Sequence, residues 1–291
     1  MISALGFGFM TASFSASETN RETTIAALHE AMSAGVKLFD TADIYAPTWD
    51  SFGHNEELLA EAIRTYAGET QDLLVATKGG ITRGPGESWG RSANLDYLLR
   101  AVEASCGRLN LAKLPLWQHH RLDPNLPFEV QLENLAKLRE RGLIERIGVS
   151  NYSAKQLTRA IEVIGDIFSV QNQLNPAYRH DLDVLEVCEA NAIVFLPWSP
   201  TKGARGANAQ PVIKELAAKN GVTEYQVAIA WLRSLSPTIV PIPGVSRVES
   251  VRDSIAALEL ELSPEDLELL KNGLEPSLPV DAELLSDQPT I

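Results

Sequence analysis

From Ile2 to Pro243 the chain repeats one pattern, a short apolar run of strand length followed by a segment whose apolar residues recur three and four positions apart. The short runs are Ile2–Phe9, a second ending at Asp40, Asp72–Lys78, Leu114–His120, Ile144–Ser150, Phe168–Gln173, Ile193–Trp198 and Thr238–Pro243. The helical segments run over Glu22–Ala34, Asn55–Arg64, Leu95–Arg108, from near Pro127 to Arg141–Gly142, and over Ala154–Val163, Leu182–Ala190, Pro211–Asn220 and Val248–Ala257. An extra helix, Glu224–Leu235, precedes the last strand. In the first helix Ile25, Leu28, His29 and Met32 share a face, and Gly35 stands where a helix closes on glycine. Eight strands alternating with helices and no break in composition predict an α/β chain built as a single (β/α)8 TIM barrel over residues 1–291. A doubly wound sheet is the other α/β solution. It fits less well, because the first strand turn, Gly6-Phe7-Gly8-Phe9-Met10, does not spell GxGxxG before its helix. The tail Glu275–Ile291, rich in proline and acid, either wraps the barrel or hangs loose.

Composition removes several classes of function. With 45% hydrophobic and 22% charged residues, a chain of 291 residues can bury a large core. A formal net charge of −13 argues against nucleic acid or an anionic membrane as partner, since both need a basic face. Cys106 and Cys188 are the only cysteines and stand outside any CxxC or histidine spacing, so neither a disulfide framework nor a zinc site is expected. The N-terminal residues lack a basic and then apolar leader, and no run reaches the length of a membrane span. A cytoplasmic protein acting on a small molecule, as a monomer or small homo-oligomer, is the expectation.

A barrel carries its chemistry at the C-terminal ends of its strands. Those ends read Asp40 with Tyr45 beyond it, Lys78, His120, Ser150 with Asn151, Gln171, Trp198 and Gly244. Each residue also has a plain structural reading. Asp40 could cap a helix, Lys78 could end its strand in solvent, Ser150-Asn151 could cap the next helix, and Trp198 could fill the core. An ammonium closing the apolar strand before Lys78 would want a carboxylate, and Asp40 on the neighbouring strand can supply one.

Taken together the positions resemble the aldo-keto reductases. Asp40, Tyr45, Lys78 and a histidine ending the fourth strand match that family's tetrad in order and in strand. Gly6-Phe7-Gly8, Ala76-Thr77-Lys78, Gly148-Val149-Ser150-Asn151, Val170-Gln171-Asn172 and Ile242-Pro243-Gly244 match in register along the chain. Of the adjacent histidines in Trp117-Gln118-His119-His120-Arg121, His120 lies over the catalytic place. Strand alternation sends the two rings to opposite faces, so His119 is expected to face the helices.

The resemblance implies hydride transfer between a nicotinamide and a carbonyl group. Tyr45 would be the general acid/base, its phenol lowered from a pKa near 10 by Lys78; Asp40 would hold Lys78, and His120 would orient the carbonyl oxygen. Ser150, Asn151 and Gln171 would hold the nicotinamide carboxamide, with Trp198 stacked on its ring where relatives carry tyrosine and Ser199 beside it. After the last strand, Gly244, Ser246, Arg247, Ser250 and Ser254 would surround the adenosine end, although relatives place Lys-Ser, Arg and Asn there. Arg247 is the cation suited to a 2′-phosphate, so NADP(H) is expected over NAD(H). Lys202 and Arg205 could meet the pyrophosphate or simply be solvated.

For substrate, Trp49, Trp89 and His120 suggest aromatic walls suited to a flat or ring-shaped carbonyl compound. The compact chain is most similar to bacterial members such as pyridoxal reductases and sugar or alcohol dehydrogenases. Two other readings use the same residues: a cofactor-binding regulatory barrel similar to potassium-channel β subunits, and a barrel lyase forming a Schiff base on Lys78.

Overall fold

The computed structural model describes residues 3–14, 21–204, 206–244 and 247–277. Seven parallel strands form one sheet, neighbouring each other in chain order: β1 (Gly6–Gly8), β2 (Leu38–Asp40), β3 (Leu74–Gly79), β6 (Leu116–His119), β7 (Ile147–Ser150), β8 (Ser169–Gln171) and β9 (Val194–Phe195). The segment between Thr238 and Gly244 closes the ring. On one side Val240 N donates to Phe195 O; on the other Gly6 N and Gly8 N donate to the carbonyls of Pro241 and Pro243. The sheet is therefore a closed barrel, which removes the doubly wound alternative. The expected eighth strand is reduced to isolated bridges, Phe195 to Ile239 and Gly8 to Gly244. The reason is chemical, because Pro241 and Pro243 accept from β1 but have no N–H to return.

The helices of the repeat are α2 (Arg21–Ser33), α3 (His54–Thr65), α4 (Leu95–Leu109), α5 (Phe128–Glu140), α6 (Ala154–Ile164), α7 (Leu182–Asn191), α8 (Pro211–Asn220), α9 (Glu224–Leu235) and α10 (Val248–Ala256), after a short α1 (Thr11–Phe14). Their ends follow local signals. Gly35 takes φ +82 just past α2. Ser153 caps α6 in a reciprocal box with Gln156, whose backbone N–H donates to Ser153 Oγ at 3.3 Å. Two elements lay outside the sequence expectation. Ser263-Pro264 opens a further helix, α11 (Pro264–Gly273), capped by Ser263 and Asp266. The long connection after β3 folds back as a hairpin of β4 (Ile81–Gly84) and β5 (Ser88–Arg91), its turn carried by Gly84-Pro85-Gly86-Glu87. Among the described residues, no helix is long and apolar enough to cross a membrane, and Cys106 and Cys188 are free.

Side chains alternate across the barrel wall, as the pleat requires. Outward go Phe39, Val75, Trp117, Val149, Val170 and Phe195, into the main core beneath the helices. Inward go Leu38, Ala76, Leu116, Leu196, Val240 and Ile242, which plug the lower barrel. One layer higher on the same inner face sit Asp40, Lys78, Gln118 and Gln171, all buried. The start of the tail is anchored, with Glu275 N donating to Gln210 Oε1 at 2.8 Å and Arg179 N donating to Ser277 Oγ at 3.0 Å; the remainder of the expected tail lies outside the described residues.

Gly148 on β7 faces inward, where a Cβ would come within 2.4 Å of Ser169 Oγ and 2.7 Å of Gln118 Cγ. Gly148→Ala should therefore overpack the layer under the site and lower stability by about 1–3 kcal/mol. A thermal unfolding midpoint equal to that of the unsubstituted protein would show that this layer yields instead.

Candidate active site

The centre of the barrel mouth is a buried ion pair. Lys78 Nζ donates to Asp40 Oδ2 at 2.6 Å, to Thr41 O at 2.8 Å and to Tyr45 Oη at 3.3 Å. The Lys78 side chain is 0% exposed, so its reading as a surface residue is excluded. Asp40 Oδ1 accepts from Gln118 Nε2 at 3.0 Å and from Gln171 Nε2 at 2.8 Å. Every donor of the ammonium and both carboxylate oxygens are thus occupied, as a charge pair out of water demands.

Tyr45 reaches this pair from a loop held at several points. Gly53 N donates to Asp43 O at 2.7 Å and Asn55 N to Tyr45 O at 3.1 Å. Thr41 Oγ1 donates to Asn55 Oδ1 at 2.7 Å, which ties the end of β2 to the first turn of α3. The Tyr45 and His120 rings meet edge to face with centroids 5.8 Å apart. His119 points outward, 0% exposed, with Nδ1 at 2.9 Å from Tyr152 Oη. The adjacent histidines thus divide as alternation predicts.

The electrostatics contain one correction. Burial raises the Tyr45 phenol above its ordinary pKa of 10.0; Lys78 pulls in the expected downward direction without reversing the outcome. Burial opposes charge on Lys78 too, but the Asp40 carboxylate and the Tyr45 contact win, and its pKa is raised. His120 is held well below 6.5 by burial and by the nearby Lys78 charge, so its imidazole is neutral. Its Nδ1 is buried without a hydrogen-bond partner among the described residues, which leaves Nε2 to serve the cavity. Behind Tyr45, Asp43 is 1% exposed, with neither carboxyl oxygen hydrogen-bonded among the described residues. Burial and the Glu56 carboxylate push its pKa well above the ordinary value, so it keeps its proton. Glu56 itself accepts from Thr77 Oγ1 at 2.5 Å and Arg108 Nε at 2.6 Å.

A cavity of about 310 Å³ opens over this group. Tyr45, His120, Ser150, Asn151, Gln171 and Trp198 line it, and Ser199 and Gly244 lie on the same wall. Ser153, not Ser150 or Asn151, caps α6, so the capping explanation of that pair fails. Ser150 Oγ donates to Gln171 O at 2.8 Å and Asn151 Nδ2 donates to Ser150 Oγ at 2.9 Å. Trp198 is half-buried and its Nε1 donates to Asn151 Oδ1 at 3.2 Å. Asn151 and Ser199 take φ +60 and +51, left-handed conformations unusual for residues with a Cβ, and both stand on the cavity wall. Further along, Arg247 caps α10 in an exposed position, its Nε donating to Ser250 Oγ at 3.1 Å, while Ser254 is 6% exposed. Ser246 and Arg205 lie outside the described residues, and Lys202 is exposed.

Trp49 and Trp89 do not line the cavity. Trp49 sits in a one-turn helix and is 39% exposed; Trp89 on β5 is 50% exposed, with the Arg83 guanidinium 4.8 Å from its ring centroid. Arg83 Nη1 donates to Ala46 O at 2.7 Å and Trp49 N to Glu87 Oε1 at 2.9 Å, so hairpin and tyrosine loop are clamped together. Sequence reading missed Gln118, which shares Asp40 with Gln171, and Arg121, which lines the cavity. Gln118 lies on the strand run already singled out, at the inward parity that Lys78 and His120 also take, whereas Arg121 follows His120 beyond the end of β6, where strand parity gives no guide.

Asp40→Asn should leave the Lys78 ammonium buried without its counter-charge and lower stability by about 3–5 kcal/mol, while Asp40→Asn with Lys78→Met should lose much less. Equilibrium denaturation of the three proteins checks this, and a single variant as stable as the parent would mean the pair contributes nothing.

The sequence model of the Aldo/keto reductase family matches residues 4–275. An uncharacterized oxidoreductase of Schizosaccharomyces pombe is 33% identical over 271 residues, covering 91% of this chain and 84% of that protein. Pyridoxine 4-dehydrogenase of Escherichia coli is 33% identical over 257 residues, 86% of each chain. Among solved structures, a thermostable aldo-keto reductase in complex with the inhibitor epalrestat is similar at TM-score 0.77 and 30% identity, covering 92% of this chain and 94% of that one. An aldo/keto reductase from Klebsiella pneumoniae in complex with NADP and acetate gives TM-score 0.77 at 25% identity, covering 96% and 94%. A closed parallel barrel, a charged pair buried in its mouth and a match over nearly the whole chain lead to one conclusion: this protein belongs to the aldo/keto reductase family, whose members are nicotinamide-dependent carbonyl oxidoreductases.

Proposed function

We propose that the protein interconverts an aldehyde or ketone and the corresponding alcohol, with Tyr45 as the proton donor and acceptor and with NADP(H) preferred to NAD(H). The observation that carries the reading is the Tyr45 hydroxyl, 3.3 Å from the buried Lys78 ammonium and beside the neutral His120 on one cavity wall. When bound, the cofactor supplies hydride to the carbonyl carbon or accepts it from the alcohol.

The residues fit such a cofactor. Ser150 and Asn151, freed from capping, offer polar groups on the cavity wall, and the Trp198 indole, fixed by Asn151, offers a flat face for the ring. The left-handed conformations of Asn151 and Ser199 are local strain of the sort retained where a ligand is gripped. Gln171 Nε2 is spent on Asp40, so this side chain would meet a carboxamide through its oxygen. Arg247, with Ser250, is the cationic group for a 2′-phosphate; a relative from Klebsiella pneumoniae is in complex with NADP.

The protein's own part is proton handling and orientation. As the carbonyl is reduced, Tyr45 Oη gives its proton to the oxygen; in the reverse direction the phenolate takes it back. The neutral His120, donating through Nε2–H, orients the same oxygen and stabilises the charge that develops there. Lys78, kept protonated by Asp40, lowers the energy of the phenolate that remains. The occupied, protonated ammonium also speaks against a Schiff base on Lys78, since such an amine must first be neutral. A small ring-shaped substrate suits the cavity, in keeping with an E. coli relative named for pyridoxine.

Tyr45→Phe should lower kcat by roughly 10²–10⁴-fold while nicotinamide binding persists; full activity would remove Tyr45 from the mechanism. Because burial raises the phenol pKa, the acid form is present at neutral pH and is lost only as pH rises through that raised value. Carbonyl reduction should therefore stay flat well into the alkaline range, and alcohol oxidation should climb with pH. Initial rates in both directions across pH test the sign, and oxidation falling with pH would contradict it. Titration by tryptophan fluorescence should give tighter binding of NADPH than NADH, and Arg247→Ala should weaken NADPH about tenfold, or roughly 1.4 kcal/mol, while moving NADH far less. An equal loss for both would place Arg247 away from the 2′-phosphate.

A further inference from the structure

Two amides meet one oxygen of Asp40, and they are not equivalent. Gln171 Nε2 donates to Asp40 Oδ1 at 2.8 Å and Gln118 Nε2 at 3.0 Å. Gln171 lines the cavity, where its amide also faces a bound molecule; Gln118 is 0% exposed and does not line it. The far end of Gln118 is fixed as well, with Ser169 Oγ donating to its Oε1 at 3.2 Å. That contact passes over Gly148, the register partner of both residues, where a Cβ would come within 2.4 Å of Ser169 Oγ and 2.7 Å of Gln118 Cγ. Because a carboxylate only accepts, the Gln118 amide is held in one orientation. A directed line of hydrogen bonds therefore runs from Ser169 on β8 through Gln118 on β6 to Asp40 on β2. The ion pair carries it on, from Asp40 to Lys78 Nζ at 2.6 Å and from Lys78 to Tyr45 Oη at 3.3 Å.

We propose that Gln118 is a positioning residue for proton transfer, one that sets how strongly the Asp40–Lys78 pair bears on the Tyr45 hydroxyl. This deepens the oxidoreductase reading above and rests on it. An amide donating to Asp40 Oδ1 stabilises and shields the carboxylate charge. Two effects follow, both of one sign. A shielded Asp40 repels the Tyr45 phenolate less, and it draws less on the Lys78 proton, so more of the ammonium charge is felt at the phenol. Gln171 shields the same oxygen, but its amide must also answer to whatever occupies the cavity. Gln118, away from the cavity wall, supports Asp40 whether the cavity is filled or empty. The titratable groups facing the phenol are Lys78 from β3, Asp40 at the end of β2, Asp43 on its own loop and His120 just after β6. Asp43 keeps its proton and His120 is neutral, so among these four the charge is that of the ion pair.

Gln118→Met keeps the length of the side chain and removes its donor. Initial rates are measured across pH with para-nitrobenzyl alcohol and NADP+ for oxidation, and with para-nitrobenzaldehyde and NADPH for reduction. In Gln118→Met the alkaline rise of oxidation should move to higher pH, so that oxidation relative to reduction is about threefold lower midway up the parental rise. Ser169→Ala, one link further out and a milder change to the fold, should move the rise the same way and by less. Tyrosinate absorbance of each protein, less that of its Tyr45→Phe counterpart, should be displaced likewise, a reading that needs neither substrate nor cofactor. A rise and a Tyr45 absorbance at the parental pH in both variants overturn the proposal. So does a rate lowered by one factor at every pH, which is what loosened packing alone produces. Turnover of neither compound, with the Tyr45 absorbance still displaced, overturns the oxidoreductase reading and leaves the link from Gln118 to Tyr45 standing.

Discussion

The Asp40–Lys78 pair is the constraint around which the barrel mouth is arranged. Two charges taken out of water are tolerable only when every donor and lone pair finds a partner, and here those partners come from separate strands. Gln118 from β6 and Gln171 from β8 both donate to Asp40 Oδ1, and Lys78 crosses from β3 to β2. Four strands are thereby pinned to one carboxylate. The same pair sets the chemistry, because the ammonium kept protonated by Asp40 has one remaining donor, and it lies against the Tyr45 hydroxyl. Stability of the upper barrel and the electrostatics of the phenol depend on a single ion pair.

Alternation along the strands then separates two polar systems that would otherwise compete. Inward-facing Asp40, Lys78 and Gln118 serve the cavity, while outward-facing Thr77 joins Glu56 and Arg108 beneath α3 and α4. Asp43 lies beside this outer system and stays neutral because it is buried and the Glu56 carboxylate is close. The two histidines show the same division. His120 meets Tyr45, and His119, one residue earlier, meets Tyr152 in the core with its pKa depressed by burial to about 4. Neither imidazole is charged at neutral pH, so the charge that bears on the Tyr45 hydroxyl is the Lys78 ammonium.

The rim is built from less regular pieces that are nevertheless tied down. Arg83 and Glu87 of the hairpin bond the backbone of the tyrosine loop, so the loop that carries Tyr45 is braced from α3 on one side and the hairpin on the other. On the far side, Asn151 and Ser199 hold left-handed conformations around Trp198. Rigid strands fix the proton-handling groups, and strained turns shape the wall opposite.

By itself the sequence determined the order of elements, the closed α/β architecture and the strand ends where polar residues gather. Those features are written in short-range periodicity, in caps such as Ser153 and Gly35, and in the parity that sends Lys78 and His120 inward and His119 outward. Its expectation for the Tyr45 phenol was right about the pull of Lys78 and wrong about the sum, because desolvation depends on the packing around the ring and not on which residues are neighbours in the chain. The hairpin after β3 is absent from the expected elements because its turn signal comes without an obvious apolar alternation, and the last strand was expected to run from Thr238 to Pro243 although Pro241 and Pro243 cannot return hydrogen bonds. Trp49 and Trp89, near the mouth in sequence, lie outside the cavity, while Gln118 and Arg121 enter the site. Tertiary structure decided these matters because they turn on distances between residues far apart in the chain: Gln171 and Asp40 share a hydrogen bond across 131 positions, and no local pattern records that meeting.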